Sequence, residues 1–201
     1  IQNTLFINIA ISLLITVIVG LVAYLTVRNY QNRLEELASR DKLTGSFNRQ
    51  VFDMLFDQAT KTAKRQKTPL SVMCFDLDGF KSINDTYGHP GGDAVLREVL
   101  MSVRTSVRES DLICRWGGDE FFIVLPNCNQ ENARLVAEKM RLQIEESLLM
   151  VDDLRLGVTA SFGIAEYIGQ ESPTELFNRT DKALYRAKSR SRNQVEGSGS
   201  E

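Results

Sequence analysis

The chain has 201 residues, a formal net charge of −2 and a single histidine. A charge balance without a basic excess excludes bulk nucleic-acid binding as the main function. Three cysteines lie far apart without metal-ligand spacing, in or beside apolar stretches, which predicts small buried side chains in a reducing compartment: Cys74, Cys114 and Cys128.

The chain opens with an apolar segment. Residues 5–27 are a run of 23 residues without a charge, which as a helix would span about 35 Å, enough to cross a bilayer. A signal peptide is disfavoured because no basic segment precedes the run and the run is too long. Arg28 and Arg33 follow it, so the positive-inside rule places the C-terminal side in the cytoplasm. We predict a transmembrane helix over residues 1–27.

Two side-chain patterns in and after this segment indicate helix pairing. Small and polar residues recur every four positions and would form one stripe on the helix, namely Asn8, Ser12, Thr16 and Gly20. Chance scatter of tolerated residues is the alternative. Further on, apolar residues alternate at spacings of three and four, which favours a two-stranded coiled coil: Val27, Tyr30, Leu34 and Leu37. We predict a coiled-coil stalk over residues 28–40, and an amphipathic helix packed on its own domain is the alternative.

Residues 41–195 are predicted to form one globular domain. Hydrophobic periodicity predicts helices over residues 49–65, 80–85, 92–107, 131–147 and 173–189, and strands over residues 70–77, 112–116, 120–125 and 156–165. The dipeptide Gly117-Gly118 between two of these strands indicates a hairpin. Strands interleaved with helices predict an α/β (α+β) sandwich, with helices on both faces of a central mixed sheet. Residues 196–201 are expected to be a flexible tail.

The heptad Arg115-Trp-Gly-Gly-Asp-Glu-Phe121 indicates nucleotide phosphate chemistry. Its two glycines make a tight turn at which the backbone can approach a phosphate closely. Asp119 and Glu120 follow the turn at the start of a strand, where carboxylates are well placed to hold a divalent metal ion. Adjacent residues of a strand point in opposite directions, so we expect one to be the main ligand. The other would bind a second metal ion or assist deprotonation of an attacking hydroxyl.

A second acidic position ends the apolar strand predicted over residues 70–77. If this strand neighbours the heptad strand, the carboxylates of Asp76 and Asp119 converge on one metal site. Asp78 precedes a glycine and fits turn chemistry or helix capping as well as metal binding.

Several other polar residues have both a binding and a structural interpretation. Asn84 and Asp93 flank a turn and could read a guanine edge by hydrogen bonding, or serve as helix caps. His89 is interpreted first as a turn residue, with a position near a nucleotide as the alternative. Three cations could meet phosphates or be solvated surface charges: Lys81, Lys188 and Arg192.

Four ordered segments resemble the GGDEF family, the bacterial diguanylate cyclases. They are Asp41-Lys-Leu-Thr-Gly-Ser-Phe-Asn-Arg49, Phe75 to His89 with Gly92-Asp93, Arg115 to Phe121, and Asp181-Lys-Ala-Leu-Tyr-Arg-Ala-Lys188. The resemblance covers about residues 40–195 and implies a nucleotidyl-cyclase, palm-like fold. It implies condensation of two GTP molecules into cyclic di-GMP with release of pyrophosphate. Each subunit of a homodimer would hold one GTP, and the active site would form between the subunits.

The resemblance also implies roles for individual residues. It assigns Mg²⁺ (or Mn²⁺) to Asp76, the carbonyl of Leu77 and Asp119, with Glu120 as a further metal ligand or catalytic acid. Asn84 and Asp93 fall on guanine-reading positions. The remaining substrate-binding positions comprise the phosphate-binding cations with the diglycine turn and the histidine: Lys81, Lys188, Arg192, Gly117, Gly118 and His89.

The segment Arg108-Glu-Ser-Asp111 matches the family's Arg-x-x-Asp inhibitory site for the product. An arginine offers a planar fork to a guanine or phosphate, and an aspartate accepts guanine N–H groups. From the residues alone the two would be a surface ion pair. Many members carry a further arginine on the next helix, and Lys139 occupies that place here. Ser46 and Ser191 also depart from the family pattern, where leucine and glycine are usual.

We therefore expect the cytoplasmic cyclase end of a longer receptor, anchored in a bacterial inner membrane by residues 5–27 and regulated through its stalk. The alternative is a non-catalytic module that binds GTP or cyclic di-GMP through Arg108 and Asp111. Intact acids at positions 76, 119 and 120 disfavour it, because a pure receptor needs no metal-binding carboxylates. A different nucleotidyl cyclase is a third possibility.

Overall fold

The structure of the chain, a computed structural model, describes residues 2–37, 39–151 and 154–199. Side-chain surroundings are described for residues 9, 11–29, 39–147 and 156–199. The chain divides into two compact units, Ile1–Ser39 and Arg40–Glu201.

The first unit is a single helix, α1, over Gln2–Leu37. Its stretch Ile11–Asn29 has a mean hydropathy of 2.2, is unburied, and is long and apolar enough to cross a membrane. Thr16 is exposed, and its hydroxyl donates to the carbonyl of Ser12 one turn back. The predicted stalk is helical in its backbone to Leu37. Three side chains of the predicted seam lie outside the described side chains, so the coiled coil stays a prediction: Tyr30, Leu34 and Leu37.

The second unit is built on a five-stranded mixed sheet. Its strands are β1 (Leu70–Leu77), β2 (Leu112–Gly117), β3 (Glu120–Pro126), β6 (Ala160–Glu166) and β7 (Val195–Gly197). Their order in the sheet is β2-β3-β1-β6-β7. A separate antiparallel ribbon joins β4 (Leu148–Val151) to β5 (Leu154–Gly157). Strand β1 lies at the centre of the sheet, antiparallel to β3 and to β6, while β7 runs parallel to β6.

Helices cover both faces of the sheet. They are α2 (Arg49–Gln66), α3 (Phe80–Arg104), α4 (Gln130–Glu146) and α5 (Pro173–Arg190). Side chains of β1 alternate between the faces. Met73, Phe75 and Leu77 pack with α3 and α4, whereas Val72 and Cys74 pack with α2 and α5. The predicted mixed α/β fold is thereby confirmed.

Side-chain caps explain where three of these helices begin. The side chain of Asn48 accepts a hydrogen bond from the amide of Val51 at the start of α2. At the start of α4, the side chain of Asn129 accepts one from the amide of Asn132. Helix α5 begins with a capping box between Ser172 and Glu175, followed by a proline at its first position.

The structure differs from the sequence prediction at three places. The single strand predicted over residues 156–165 is wrong, because the chain leaves the ribbon after Gly157 and enters the sheet at Ala160. The two helices predicted over residues 80–107 form one element, α3, that breaks at Gly88, where φ is 68°. A strand, Val195–Gly197, pairs with β6 where a flexible tail was expected, and the amide of Ser198 continues the pairing to Ile164. A strand of three residues is too short for alternating apolar and polar side chains to reveal it in the sequence.

Candidate active site

The pairing of β1 with β3 brings two of the predicted acids together. Asp76 lies directly opposite Glu120 in the register, and opposite Ser161 on the other side of β1. Both acids face the α2 and α5 side of the sheet, where the thiol of Cys74 lies 3.5 Å from Oε1 of Glu120. Strands β1 and β3 are therefore neighbours, which is the condition on which the predicted convergence of Asp76 and Asp119 depends.

The electrostatics at this strand end are strongly anionic. Burial raises the pKa of Asp76 above its ordinary value, and the nearby charges of Asp119 and Glu120 raise it further. Lys188, in the last turn of α5, opposes this effect with its Nζ at 2.8 Å from Oδ1 of Asp76. Among the described residues Lys188 forms the one salt bridge to Asp76, and the two neighbouring carboxylates act on Asp76 in the opposite direction.

The donor atoms suit a hard divalent cation. Carboxylate and carbonyl oxygens are the ligands that Mg²⁺ takes, and it normally uses one or two protein carboxylates and completes its shell with phosphates and water. Among the described residues no three acidic, histidine or cysteine side chains form a complete metal cluster on their own. A cation at Asp76 would thus depend on oxygen ligands from elsewhere, as it does in nucleotide sites.

The diglycine turn is held open by a brace that sequence reasoning missed. Gly118 has a φ of 54°, and an added Cβ at Gly117 or Gly118 would meet no atom within 4 Å. Nε of Arg115 donates to the carbonyl of Gly118 at 2.9 Å, and its Nη1 lies 3.3 Å from both carboxylate oxygens of Asp41. Asp41 in turn accepts the amide and hydroxyl of Thr44. The brace leaves the outer surface of the turn free for a ligand.

Asn84 and Asp93 lie on either side of the break in α3, and both are half-buried. A Cβ at Gly92 would lie only 2.0 Å from Oδ1 of Asn84, so the Asn84 side chain lies directly across that glycine. Among the described residues neither side chain accepts a backbone amide, so neither acts as a helix cap. His89 and Lys81 are exposed on the same element.

The remaining cation, Arg192, lies beyond the end of α5 and is exposed, with a φ of 57°. The amide of the following Asn193 donates to Asp78 at 3.0 Å. Asp78 also accepts the hydroxyls of Thr159 and Ser161, so it is an anchor between strands and loops. Its partners lie 81 to 115 residues away, so no local pattern in the sequence pointed to them.

The predicted product site lies at the opposite end of β2 from the diglycine turn, about 20 Å away for a strand of this length. Oδ2 of Asp111 accepts the backbone amide of Arg108 at 2.7 Å. Burial raises the pKa of Asp111, although this hydrogen bond opposes the shift. Within the described part of the chain the Arg108 guanidinium forms no ion pair, so the surface pair does not form. Lys139 is exposed on α4, and no contact joins it to either residue among those described.

Comparisons with known proteins agree on one family. The family model described as "Diguanylate cyclase, GGDEF domain" matches residues 38–194. Response regulator PleD of Caulobacter vibrioides is 39% identical over 173 residues, which are 85% of this chain and 38% of that protein. Diguanylate cyclase A of Treponema denticola is 36% identical over 168 residues, 82% of this chain and 45% of that protein. The chain thus spans about two fifths of the length of these relatives.

Solved structures are similar over most of the chain. The GGDEF domain of DgcB from Caulobacter crescentus, determined in complex with c-di-GMP, has a TM-score of 0.78 and 32% identity, covering 81% of this chain and 94% of that one. Diguanylate cyclase SiaD from Pseudomonas aeruginosa, determined with its activator SiaC, has a TM-score of 0.77 and 33% identity, covering 87% of this chain and 67% of that one.

The brace between Arg115 and Asp41 predicts a pH-dependent contribution to stability. Burial alone would raise the pKa of Asp41, but hydrogen bonds from Thr44 and the charge of Arg115 outweigh it, so the pKa lies below the ordinary 3.8. The stabilisation is therefore present above pH 3.8 and is lost as the pH falls through the lowered folded value. At pH 7 we expect Asp41→Asn to lower the free energy of unfolding by about 1–2 kcal/mol.

Urea unfolding of the full chain in detergent, followed by the fluorescence of its single tryptophan, measures this effect. The difference from the unmodified protein should shrink as the pH falls below 3.8. Asp57→Asn, which breaks an exposed pair with Lys61, is the control. A difference that stays constant with pH would show that the Asp41 charge is not the source of the stabilisation.

Proposed function

Because the chain belongs to the GGDEF family of diguanylate cyclase domains, we propose that it condenses two GTP molecules into cyclic di-GMP and releases two pyrophosphates. The 3′ hydroxyl of each GTP attacks the α-phosphorus of the other, the bond to the β-phosphate oxygen breaks, and the hydroxyl proton is removed. The observation that supports this most directly is the register that sets Asp76 opposite Glu120, beside Asp119 and Lys188.

In this proposal Mg²⁺ (or Mn²⁺) is held by Asp76, the carbonyl of Leu77 and Asp119. When bound, the cation neutralises charge on the phosphates and on the leaving group. Glu120 is a further ligand or the base that takes the hydroxyl proton. The position of Asp76 opposite Glu120 and near Asp119 supports the assignment, because clustered carboxylates stay ionised together only beside a positive charge.

The nucleotide is assigned to the surface around the diglycine turn and the break in α3. Asn84 and Asp93 read the guanine edge, and their lack of other hydrogen-bond partners among the described residues supports this role. The open backbone at Gly117 and Gly118 admits the phosphates. The triphosphate meets the cations of the site, with the exposed histidine nearby: Lys81, Lys188, Arg192 and His89.

Two copies of the chain are needed, because each holds one GTP and the reaction joins two. The product has two equivalent halves, which matches the twofold symmetry of a homodimer.

Helix α1 is proposed to anchor the protein in a bacterial inner membrane, with the GGDEF domain in the cytoplasm where GTP is available. The apolar stretch Ile11–Asn29 and the arginine within it at position 28 support this orientation. The stalk would then carry a signal to the pairing of the two domains.

Product inhibition is proposed at Arg108 and Asp111, with Lys139 as an added cation. The exposed Arg108 guanidinium, which forms no salt bridge within the described part of the chain, supports this role, since a planar fork can bind guanine or phosphate. Two hydrogen bonds close the turn between these residues: Oδ2 of Asp111 accepts the amide of Arg108, and the amide of Asp111 donates to the carbonyl of Arg108.

The reaction itself is tested with the full chain in detergent, GTP and Mg²⁺, with products identified by mass spectrometry. We expect cyclic di-GMP from the unmodified protein and a loss of at least about 100-fold in rate for Asp119→Ala, because a charge-stabilising metal ligand is removed. Asp57→Asn should retain the rate. GTP binding without product, in samples shown to be dimeric, would favour the non-catalytic module.

The guanine assignment is tested by Gly92→Ala. The added methyl group would lie 2.0 Å from Oδ1 of Asn84 and force that side chain to turn away. We expect the KM for GTP to rise about tenfold with a smaller change in kcat, since one base-reading hydrogen bond is lost. Gly157→Ala, where a Cβ meets nothing within 4 Å, is the control. An unchanged KM would exclude Asn84 from guanine recognition.

The inhibitory site is tested by Arg108→Ala. We expect the inhibition constant for cyclic di-GMP to rise at least about tenfold, because a charge-assisted contact is lost, while the uninhibited rate stays the same. Arg97→Ala, an exposed arginine on α3, serves as the matched control. Product inhibition of equal strength in all three proteins would argue against this site.

A further inference from the structure

The carboxylate of Asp78 joins three separate parts of the chain. Oδ2 accepts the hydroxyl of Thr159 at 2.8 Å and the backbone amide of Asn193 at 3.0 Å, and Oδ1 accepts the hydroxyl of Ser161 at 2.8 Å. The Asp78 amide also donates to the carbonyl of Thr159. Since both oxygens are occupied by protein donors, Asp78 acts as an anchor although it is only two residues from Asp76.

The segment that Asp78 anchors has an unusual backbone. Arg192 and Asn193 have φ angles of 57° and 45°, in the left-handed region. Asparagine tolerates this conformation, but arginine does so only when its surroundings hold it there. The amide of Arg192 donates to the carbonyl of Ala187 at 3.1 Å, which ties the residue back to the end of α5.

The side chain of Asn193 is fixed from a second direction by α4. Its Oδ1 accepts Nη1 of Arg141 at 2.9 Å, and its Nδ2 donates to Oε1 of Glu145 at 2.8 Å. Arg141 is itself held by Glu138 and Glu145, with N–O distances of 2.7 Å to each. Asn193 is thus held between Asp78, directly after the end of the central strand β1, and the ion pairs of α4.

We propose that Asp78 and Asn193 are positioning residues that hold Arg192 in its left-handed conformation and so direct its guanidinium to the phosphates of GTP. The proposal rests on the proposed function, which assigns Arg192 to the phosphates. Neither positioning residue touches the nucleotide. If Asp78 acted only by charge repulsion, its neutralisation would tighten GTP binding, because a negative charge near the triphosphate would be removed. The proposed positioning role predicts weaker GTP binding instead.

The test is a double-mutant cycle on the full chain in detergent, with binding of a non-hydrolysable GTP analogue and Mg²⁺ measured by calorimetry. Asp78→Asn and Asn193→Ala should each raise the dissociation constant about tenfold, as expected when a charged group loses one well-placed partner. In an Arg192→Ala background the same changes should add less than about twofold, because both act through Arg192. In turnover, KM should rise while kcat stays within about threefold.

The control is Asp57→Asn, which removes one exposed negative charge from α2. Asn193→Ala keeps the test decisive if Asp78→Asn fails to fold, since it changes an exterior loop and leaves the anchored strands intact. A second tenfold loss in the Arg192→Ala background, or an unchanged or tighter affinity in both single variants, would overturn the proposal. If the affinities follow the predicted double-mutant cycle but the protein makes no cyclic di-GMP, the proposed reaction is contradicted and the positioning role of Asp78 and Asn193 is supported. Protein that binds no GTP would overturn both.

Discussion

The central constraint in this domain is the register of one strand, β1, which is hydrogen-bonded on both sides. That register places Asp76 opposite Glu120 and within reach of Lys188. A slip of one residue would turn Asp76 to the α3 and α4 face and bury a carboxylate among apolar side chains. Because β3 and β6 both hold β1, such a slip would also break two ladders at once. The acidic end of the sheet is therefore set by the same interactions that form the core.

Concentrating carboxylates at a half-buried strand end costs free energy, which the protein offsets only in part. Lys188 supplies one positive charge, while burial and the charges of Asp119 and Glu120 raise the pKa of Asp76. A bound divalent cation would offset the negative charge of these carboxylates and of a triphosphate. The clustered carboxylates that lower the stability of the domain would then serve to bind the cation. Around it, the Arg115 brace and the cluster of Phe52, Trp116 and Phe177 hold the turn and its flanking helices without entering the open surface.

The elements with strong local signals could be predicted from the sequence. Strand β1 was predicted at its observed bounds, because a proline precedes its apolar run and acids follow it. The break between β5 and β6 could not be predicted from the sequence. Residues on both sides of it have similar strand propensity, and only the pairing partner changes. Strand β7 is too short to show periodicity.

For the site, residue types at strand ends indicated the acids, but their partners came from the fold. Asp78 was ambiguous because its three hydrogen-bond donors lie 81 to 115 residues away. The contact of Asn84 with Gly92 depends on the break at Gly88, which turns the following helix back across it. Arg108 and Asp111 have the spacing of an ion pair, yet the carboxylate takes the backbone amide and leaves the guanidinium exposed.

The most direct test of the metal-dependent site is diffraction from crystals of the full chain grown with Mn²⁺ and a non-hydrolysable GTP analogue, recorded for anomalous scattering. We predict an anomalous peak at metal–oxygen bonding distance from the Asp76 and Asp119 carboxylates, with the triphosphate oxygens completing the shell and Lys188 contacting a phosphate. A structure in which the nucleotide is bound but Mn²⁺ lies away from Asp76, with Lys188 still paired to that carboxylate, would contradict it.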